Sequence, residues 1–358
     1  MPISVLVVDD SAFMRMAITK MLEAEPGIVV IGTARNGEEA VQKAQQLYPN
    51  VVTMDVEMPG MGGLEAVREI TAQSGVPIIM VSALTQQGAE TTFRALELGA
   101  VDFIPKPDAA YVNISDVARD LIAKVRVFAR RAPASRMAVR PKVAMPPIAD
   151  HPAPLSTRVE GSFECVAIGT STGGPVALSR IIPALPANFP LPIVIVQHMP
   201  PGFTRPLAER LNSSSHITVV EGSDGMILRP GEAVIAPAGR QLRTRRMYGS
   251  DKVEIALGND DGRSLHVPSV DVMTASVAET YGAGTLAAIL TGMGQDGVVG
   301  LRSVKDRGGF VVGQDAATSV VYGMPRAAAQ AGLVDRVLPL DAIASALCEL
   351  TNTSFARS

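Results

Sequence analysis

A serine in a glycine-bounded turn is the clearest sign of chemistry in this sequence. Ser171 follows the apolar run Cys165–Ile168, and a helix-like run begins at Gly174-Pro175 just after it. A tight turn between a strand and a helix can lift a serine hydroxyl clear of a sheet and leave backbone N–H groups beside it. We therefore interpret Ser171 as a candidate nucleophile.

His198 is the histidine placed best to act as its base. The chain has four histidines, and we place His151 in a linker and His216 and His266 in loops. His198 instead ends the predicted strand Ile193–Gln197. Because parallel strands end at one edge of a sheet, this position predicts that His198 shares an edge with Ser171.

An acid is needed to orient the imidazole and to stabilise its charged form. Asp296 lies in the glycine-rich segment Thr291–Gly297, between a predicted strand and a helix that begins near Val298. The alternative role for Asp296 is to cap that helix, and the two roles are compatible. Backbone N–H groups of the segment Thr291–Gly294 are candidates to bind an oxyanion.

Other interpretations of the Ser171 turn fit the sequence less well. Gly169 and Gly174 have the spacing of a phosphate-binding loop, but Pro175 stands where that loop needs lysine. The dinucleotide fingerprint fails because Ser171 replaces its second glycine. The chain order serine, histidine, aspartate also differs from that of α/β-hydrolases, so this triad is expected on another fold.

A second set of polar residues stands at predicted strand ends near the amino terminus. Asp9 and Asp10 end the first strand, Asp55 ends the third, Ser82 ends the fourth and Lys106 follows the fifth. Three carboxylates at one sheet edge repel one another unless a cation lies among them, and such oxygen ligands suit Mg²⁺. This pattern indicates that Asp55 accepts a phosphoryl group, with Ser82 and Lys106 near its oxygens.

Alternating strand and helix patterns position both sets of residues. The amino-terminal strands are predicted at Val5–Val8, Ile28–Ile31, Val51–Met54, Ile78–Val81 and Val101–Ile104, with amphipathic stretches between them. Later strands are predicted at Val166–Ile168, Ile193–Val196, Ile217–Val220, Ala233–Ala236, Val253–Leu257, Leu286–Leu290 and Phe310–Val312. This alternation predicts two α/β domains with mainly parallel sheets covered on both faces, the second larger and doubly wound.

Proline divides the chain. Residues 126–161 are rich in proline, arginine and alanine, a composition that prevents regular secondary structure and predicts a linker. The predicted domains are therefore residues 1–125 and 162–352.

Composition narrows the class of protein. The chain has 358 residues, 47% of them hydrophobic and 19% charged, with a formal net charge of −3, which argues against a nucleic-acid partner. Two cysteines, no signal-peptide pattern and no apolar run near the ~20 residues of a membrane span predict a cytoplasmic location without membrane insertion.

The first 125 residues resemble the receiver domain of two-component response regulators. The resemblance is carried by Asp9-Asp10, Met54–Gly60, Ser82 and Ile104–Pro107. It implies a flavodoxin-like sheet of five parallel strands in which Asp55 is phosphorylated and Ser82 and Lys106 contact the phosphoryl group. It also implies that Asp10 and Asp55 bind Mg²⁺ through side chains and Glu57 through its carbonyl, with Asp9 assisting, and that Phe103 is a switch aromatic.

The later motifs resemble the chemotaxis protein-glutamate methylesterase family, CheB. The matching segments are Ile168–Gly174, Gln197–Thr204, Pro268–Asp271, Thr291–Gly297 and Tyr322–Arg326. The resemblance covers nearly the whole chain and places the catalytic triad at Ser171, His198 and Asp296, with Thr172 and Met293 in the oxyanion and active-site region. Thr170 and Gln295 replace the alanine and asparagine of many relatives without removing a reactive group.

This second resemblance implies a reaction and partners. The implied substrates are γ-methyl glutamyl esters, and some glutamines, on chemoreceptors in bacterial chemotaxis adaptation. The implied phosphodonor is the chemotaxis histidine kinase CheA, and hydrolysis is expected to need no metal. Two rivals remain: a non-catalytic output module that binds a partner when Asp55 is phosphorylated, and a hydrolase of some other acyl donor.

Overall fold

A computed structural model describes residues 2–106, 114–130, 163–259, 262 and 264–351. Two open parallel sheets and one two-stranded ribbon organise these residues. Within these ranges, no helix combines the length and the apolar character needed to cross a membrane.

The amino-terminal sheet has five strands. They are β1 (Ile3–Val8), β2 (Ile28–Ala34), β3 (Val51–Asp55), β4 (Ile78–Ser82) and β5 (Asp102–Pro105). The connecting helices are α1 (Ala12–Glu23), α2 (Gly37–Leu47), α3 (Gly63–Gln73), α4 (Gln86–Glu97) and α5 (Ile114–Ala129). The strand order is β2-β1-β3-β4-β5, and β1 pairs in parallel with both neighbours. This is the flavodoxin-like order, so the predicted fold class is confirmed for this part of the chain.

The carboxy-terminal sheet has seven strands. They are β6 (Cys165–Thr170), β7 (Ile193–Gln197), β8 (Thr218–Glu221), β9 (Glu232–Ile235), β12 (Thr285–Ile289), β13 (Phe310–Gln314) and β14 (Arg336–Leu338), and the ribbon strands are β10 (Gln241–Arg246) and β11 (Val253–Gly258). The helices are α6 (Gly174–Ile181), α7 (Thr204–Ser214), α8 (Val270–Tyr281), α9 (Val298–Asp306), α10 (Met324–Gln330) and α11 (Leu340–Leu350), with a 3₁₀ turn at Gly282–Gly284. The order β14-β13-β12-β6-β7-β9-β8 is parallel throughout, which confirms a mainly parallel α/β unit.

Two strands were not predicted, and one predicted strand lies outside the main sheet. The β10 strand alternates buried Leu242 and Thr244 with arginines, so it lacks an apolar run, and β14 is only three residues long. The predicted strand at Val253 exists as β11, but it pairs antiparallel with β10 in the ribbon and not with the main sheet.

The α5 helix extends into the segment that is predicted to be a linker. It continues to Ala129, four residues past the expected boundary at 125. The proline-rich part of the predicted linker, residues 131–161, lies outside the described residues.

The core of the carboxy-terminal unit fixes the site. Buried side chains of β7 and β12, such as Val194 and Ile289, share a cluster with Val270, Met273 and Val277 of α8. The three central strands β12, β6 and β7 are neighbours, so their carboxyl ends open next to one another. The segments that carry Asp296, Ser171 and His198 leave the sheet there, which is the position predicted for a ligand site in an open parallel sheet.

Candidate functional site

Strand register brings Ser171 and His198 together. The last residues of β6 and β7, Thr170 and Gln197, are register partners, and the His198 N–H donates to the Thr170 carbonyl at 3.1 Å. Neighbouring strands lie about 4.8 Å apart. The residues that directly follow the two strands, Ser171 and His198, are therefore neighbours.

Backbone hydrogen bonds hold the turn at Ser171, one of them to the loop after β12 and one within the turn. The Ser171 N–H donates to the Thr291 carbonyl at 3.0 Å, and the Ser171 carbonyl accepts from the Gly174 N–H at 2.8 Å. Gly173 takes a φ of +79° at the start of α6, a conformation that favours glycine. Ser171 is half-buried, and its hydroxyl forms no hydrogen bond with another described residue.

The loop after β12 approaches this turn closely. A Cβ added to Gly292 would lie 2.9 Å from the Ser171 Cβ and would overlap the Met324 sulfur. The Thr170 hydroxyl donates to the Thr291 carbonyl at 2.9 Å across the same gap. A glycine is therefore required at 292, since a side chain there would push the loop away from Ser171.

His198 pairs with Asp296 as expected for an oriented base. Nε2 of His198 lies 2.8 Å from Oδ2 of Asp296, and the two side chains are only 9% and 8% exposed. Because a carboxylate can only accept, we assign the proton on Nε2 to this bond. The other ring nitrogen, Nδ1, is buried and has no hydrogen-bond partner among the described residues, so it remains for proton exchange.

The Asp296 carboxylate is also bound by the start of α8. The Val270 N–H donates to Oδ2 at 2.7 Å, while the Asp271 N–H and the Ser269 hydroxyl donate to Oδ1 at 3.0 and 2.9 Å. Burial opposes ionisation, but the hydrogen bond and charge of His198, with these backbone N–H groups, hold the pKa of Asp296 well below its usual value. Asp296 is therefore ionised and fixed in orientation.

Gln197 joins the two strand ends through one amide. Its Nε2 donates to the carbonyls of Ser171 and His198 at 2.9 and 2.8 Å, and the residue is only 2% exposed. The backbone carbonyls of Ser171 and His198 are thus bound by one buried amide. In the sequence, Gln197 stands out only as the last residue of a predicted strand and the first of a matching segment.

The structure adds His266 to the site. Its ring stacks on that of His198, with centroids 4.1 Å apart and an angle of 17° between planes. His266 lies in a loop, as predicted, but no local sequence pattern shows that this loop brings its ring against His198.

Thr172 and Met293 flank the Ser171 turn from two loops. Thr172 is buried, and its carbonyl accepts from the Thr291 hydroxyl at 2.8 Å. Met293 is half-buried and follows Gly292. Among the described residues, none accepts a hydrogen bond from the backbone N–H of Thr172 or Met293, and such N–H groups are suited to bind an oxyanion.

The predicted carboxylates meet at the edge of the amino-terminal sheet. Ligand atoms of Asp9, Asp10 and Asp55 all lie within 4.8 Å of one another, with Asp9 and Asp55 buried and Asp10 exposed. The Glu57 N–H approaches Asp55 Oδ1 at 3.4 Å. This all-oxygen donor set fits a hard divalent cation such as Mg²⁺, because a cation would relieve the mutual repulsion of the carboxylates.

Ser82 and Lys106 occupy the predicted strand ends. Ser82 ends β4 and Lys106 follows β5, and the Lys106 N–H donates to the Ser82 carbonyl at 2.8 Å. The Ser82 hydroxyl donates to the Gly88 carbonyl at 3.1 Å. Phe103, the predicted switch aromatic, is buried in β5 and contacts Phe93 edge to face.

Two protein families match the chain. Residues 166–347 match the CheB methylesterase family, and residues 5–113 match the response regulator receiver domain.

Named relatives and a solved structure agree with this division. A protein-glutamate methylesterase/protein-glutamine glutaminase of Moorella thermoacetica is 44% identical over 98% of each chain, and one of Archaeoglobus fulgidus is 43% identical over 95% of each. The crystal structure of the Thermotoga maritima CheB methylesterase catalytic domain is 48% identical, covers 53% of this chain and 99% of its own, and has a TM-score of 0.51.

Proposed function

The chain belongs to the CheB methylesterase family and carries a response regulator receiver domain, and we propose here how its own residues perform and control the reaction. It is a protein-glutamate methylesterase and protein-glutamine glutaminase, a hydrolase of chemotaxis. The relatives' names favour this enzymatic role over a non-catalytic output module. The hydrogen bond between His198 and Asp296, beside Ser171, is the observation that carries the assignment of roles.

Ser171 is the nucleophile of the first half-reaction. Its Oγ attacks the γ-carbonyl carbon of a glutamyl methyl ester while His198 takes the hydroxyl proton on Nδ1. Asp296 stabilises the imidazolium that forms, since its carboxylate already lies 2.8 Å from Nε2.

Backbone N–H groups hold the charge that develops on the carbonyl oxygen. The N–H groups of Thr172 and Met293 are the candidates, because they stand on the two loops that meet at Ser171. When the tetrahedral intermediate collapses, the imidazolium returns its proton to the leaving group, which departs as methanol. A glutaminyl amide loses ammonia at the same step.

Water completes the reaction. His198 accepts a proton from water as the water oxygen attacks the glutamyl–Ser171 ester. When the second intermediate breaks down, the bond to Ser171 Oγ breaks, the imidazolium of His198 returns its proton to that oxygen, and the glutamate side chain leaves as a carboxylic acid that ionises in water. The two half-reactions need one base, one acid and one oxyanion site, and the residues proposed for these roles follow β6, β7 and β12.

The receiver domain controls this site through Asp55. Asp55 accepts a phosphoryl group, and Ser82 and Lys106 contact its oxygens. Asp9, Asp10, Asp55 and the Glu57 carbonyl would hold Mg²⁺, which neutralises charge on the phosphoryl oxygens during transfer. Phosphorylation adds roughly −1.5 to −2 charges, and a typical coupling free energy of ~1–3 kcal/mol corresponds to activation of about 5- to 150-fold.

The domain plan and the partners complete the proposal. Residues 1–125 act as the receiver, 126–161 as the linker and 162–352 as the catalytic domain. The substrates are methyl-accepting chemoreceptors, the phosphodonor is the histidine kinase CheA, and the enzyme works in the cytoplasm as a peripheral member of receptor arrays.

Substitution of the nucleophile and the base tests the assignment. Ser171→Ala and His198→Ala should each lower methanol release from methylated receptor by about 10⁴-fold, and the double variant should lose little more, because the two residues act as one unit. His216→Ala, in an exposed loop, is the control. Methanol release by Ser171→Ala at the wild-type rate would refute the proposed role.

A further inference from the structure

Asp271 binds the start of a helix that is not its own. It lies in the first turn of α8, and its Oδ1 accepts from the N–H groups of Gly297 and Gly300 at 2.8 and 2.9 Å. These groups open α9, whose N-cap residue Gly297 has a φ of +106° and no side chain. A helix that begins on glycine cannot cap itself with a side chain, so Asp271 supplies the missing acceptor from α8.

Asp296 does the same in the opposite direction. It stands just before Gly297, and its carboxylate accepts the N–H groups of Val270 and Asp271 at the start of α8. Asp271, at the start of α8, therefore caps α9, and Asp296, just before α9, caps α8. Because a helix start carries about half a positive charge, each carboxylate is compensated by the helix that it binds.

The two helix starts pack closely because glycines stand on the α9 side of the contact. A Cβ added to Gly300 would lie 2.6 Å from the Asp271 carbonyl oxygen, and one added to Gly297 would lie 3.0 Å from Val270 Cγ1. The loop that carries Asp296 is thus in direct contact with the first turn of α8. Movement of Asp271 would release the backbone of Gly297, the residue after the acid that pairs with His198.

The electrostatics of Asp271 show why its partners matter. Burial raises the pKa of Asp271, and the nearby Asp296 carboxylate adds to this, while the N–H groups of Gly300 and Gly297 act against it. The N–H groups of both helix starts, together with His198 and the Ser269 hydroxyl on Asp296, offset the repulsion between the two neighbouring carboxylates.

We propose that Asp271 is a positioning residue of the hydrolytic site, which caps α9 and thereby holds Asp296 at hydrogen-bond distance from His198. This inference rests on the proposed roles of Ser171, His198 and Asp296. Among the residues that the structure describes, the Asp271 side chain forms no hydrogen bond with Ser171 or His198, and its backbone donors are Gly297, the N-cap of α9, and Gly300 within α9. Its effect on turnover is therefore transmitted entirely through Asp296.

A double-mutant cycle on the full chain tests the transmission. Asp271→Ala should lower kcat by about 10- to 100-fold, because a 1 Å misplacement of a catalytic group costs on the order of 10²-fold, and KM should stay within about 2-fold. Asp296→Ala should lower kcat by roughly 10³- to 10⁴-fold. The double variant should match Asp296→Ala within about 3-fold, since Asp271 has nothing left to position.

Two further variants separate positioning from general stability. Asp271→Asn keeps an acceptor oxygen for Gly297 and Gly300, so kcat should return to within about 3-fold of wild type. Asp341→Ala is the matched control, because Asp341 also lies in a first helical turn, that of α11, and its side chain forms an exposed pair with Arg180. Its kcat should equal that of the wild type.

The outcomes are distinct. Wild-type kcat in a folded Asp271→Ala protein, or a double variant in which the two losses multiply, would overturn the positioning role. If Asp271→Ala does not fold, Asp271→Ser replaces it in the cycle, because its hydroxyl is too short to reach both N–H groups and the same non-additivity is expected. Retained activity in Ser171→Ala would instead refute the proposed triad. An inactive Ser171→Ala protein together with wild-type activity in Asp271→Ala would refute only the positioning role of Asp271.

Discussion

The ring of His266 lies parallel to the ring of His198, with the two centroids 4.1 Å apart. His266 is exposed while the His198 side chain is 9% exposed, so the outer ring covers one face of the inner one. The His266 carbonyl accepts from Gln241 Nε2 at 3.0 Å, which fixes the loop over β7. The proposed base, His198, is thus held in plane by Asp296 and on its face by His266.

Removal of this stacked ring should weaken the base without abolishing it. We expect His266→Ala to lower kcat by about 3- to 10-fold, because stacking of this kind contributes on the order of 1 kcal/mol. His266→Phe keeps a flat ring and should retain most of the activity. The assay is methanol release, with His216→Ala as the control; an equal loss in the Ala and Phe variants would contradict a stacking role.

Loss of the Gln197 amide should disorder the two strand ends. Gln197→Leu leaves the carbonyls of Ser171 and His198 without their buried donor, which costs about 1–3 kcal/mol of the free energy of unfolding. We expect kcat to fall by about 10- to 100-fold with little change in KM. Gln330→Leu, at the exposed end of α10, is the control for stability and turnover. Normal kcat in Gln197→Leu would show that the amide does not order the site.

A methyl group at position 292 should separate the two loops of the site. Gly292→Ala places a Cβ against Ser171 Cβ and the Met324 sulfur, and overpacking of this kind costs about 1–3 kcal/mol of stability. The expected kcat loss is at least about 10-fold, measured beside a thermal unfolding curve. In the control Gly258→Ala, the nearest atom is the guanidinium of Arg243 at 3.2 Å, which can swing away. The prediction fails if the two variants behave alike.

Acid should destabilise the protein partly through Asp296. The pKa of this carboxyl is lowered in the folded state, while its unfolded value is about 3.9. A lowered pKa contributes stability that is present above the unfolded value and is lost as pH falls toward the folded value. The urea midpoint should therefore decline below about pH 5, and less steeply in Asp296→Asn than in the wild type or in Asp341→Asn. Parallel curves for all three proteins would contradict this account.

Phosphorylation should need both Asp55 and a divalent cation. A small phosphodonor should label the wild type in the presence of Mg²⁺, and a chelator or Asp55→Asn should prevent labelling. Asp10→Asn removes one member of the carboxylate cluster and should raise the Mg²⁺ concentration required. Asp120→Asn, in a partly exposed pair with Lys124, is the control. Activation of methanol release by the phosphodonor should disappear with Asp55→Asn; activation that persists would place the acceptor elsewhere.

Residues with a local sequence context could be predicted, and those defined by tertiary contact could not. Ser171, His198 and Asp296 each follow an apolar strand, so the rule that parallel strands end at one edge was enough to group them. The roles of Gln197 and Asp271 depend on carbonyls and N–H groups from other segments, and no spacing in the chain shows these contacts. The β10 strand was missed for a related reason, because its arginines are half-buried or exposed and its buried residues, Gln241, Leu242 and Thr244, form no apolar run.

The ring nitrogen of His198 that pairs with Asp296 limits where insertions and deletions can be tolerated in this enzyme. Since Nε2 is hydrogen-bonded to Asp296, the nitrogen that can accept a proton is Nδ1. Nδ1 is the ring nitrogen nearer to the backbone, so its proton donor must also lie close to the backbone of His198. The proposed nucleophile, Ser171, meets this need from the adjacent strand, one residue beyond the register pair of Thr170 and Gln197. An insertion of a single residue in either strand before this point would turn one partner to the opposite face, so we expect natural length variation to be confined to the loops that follow.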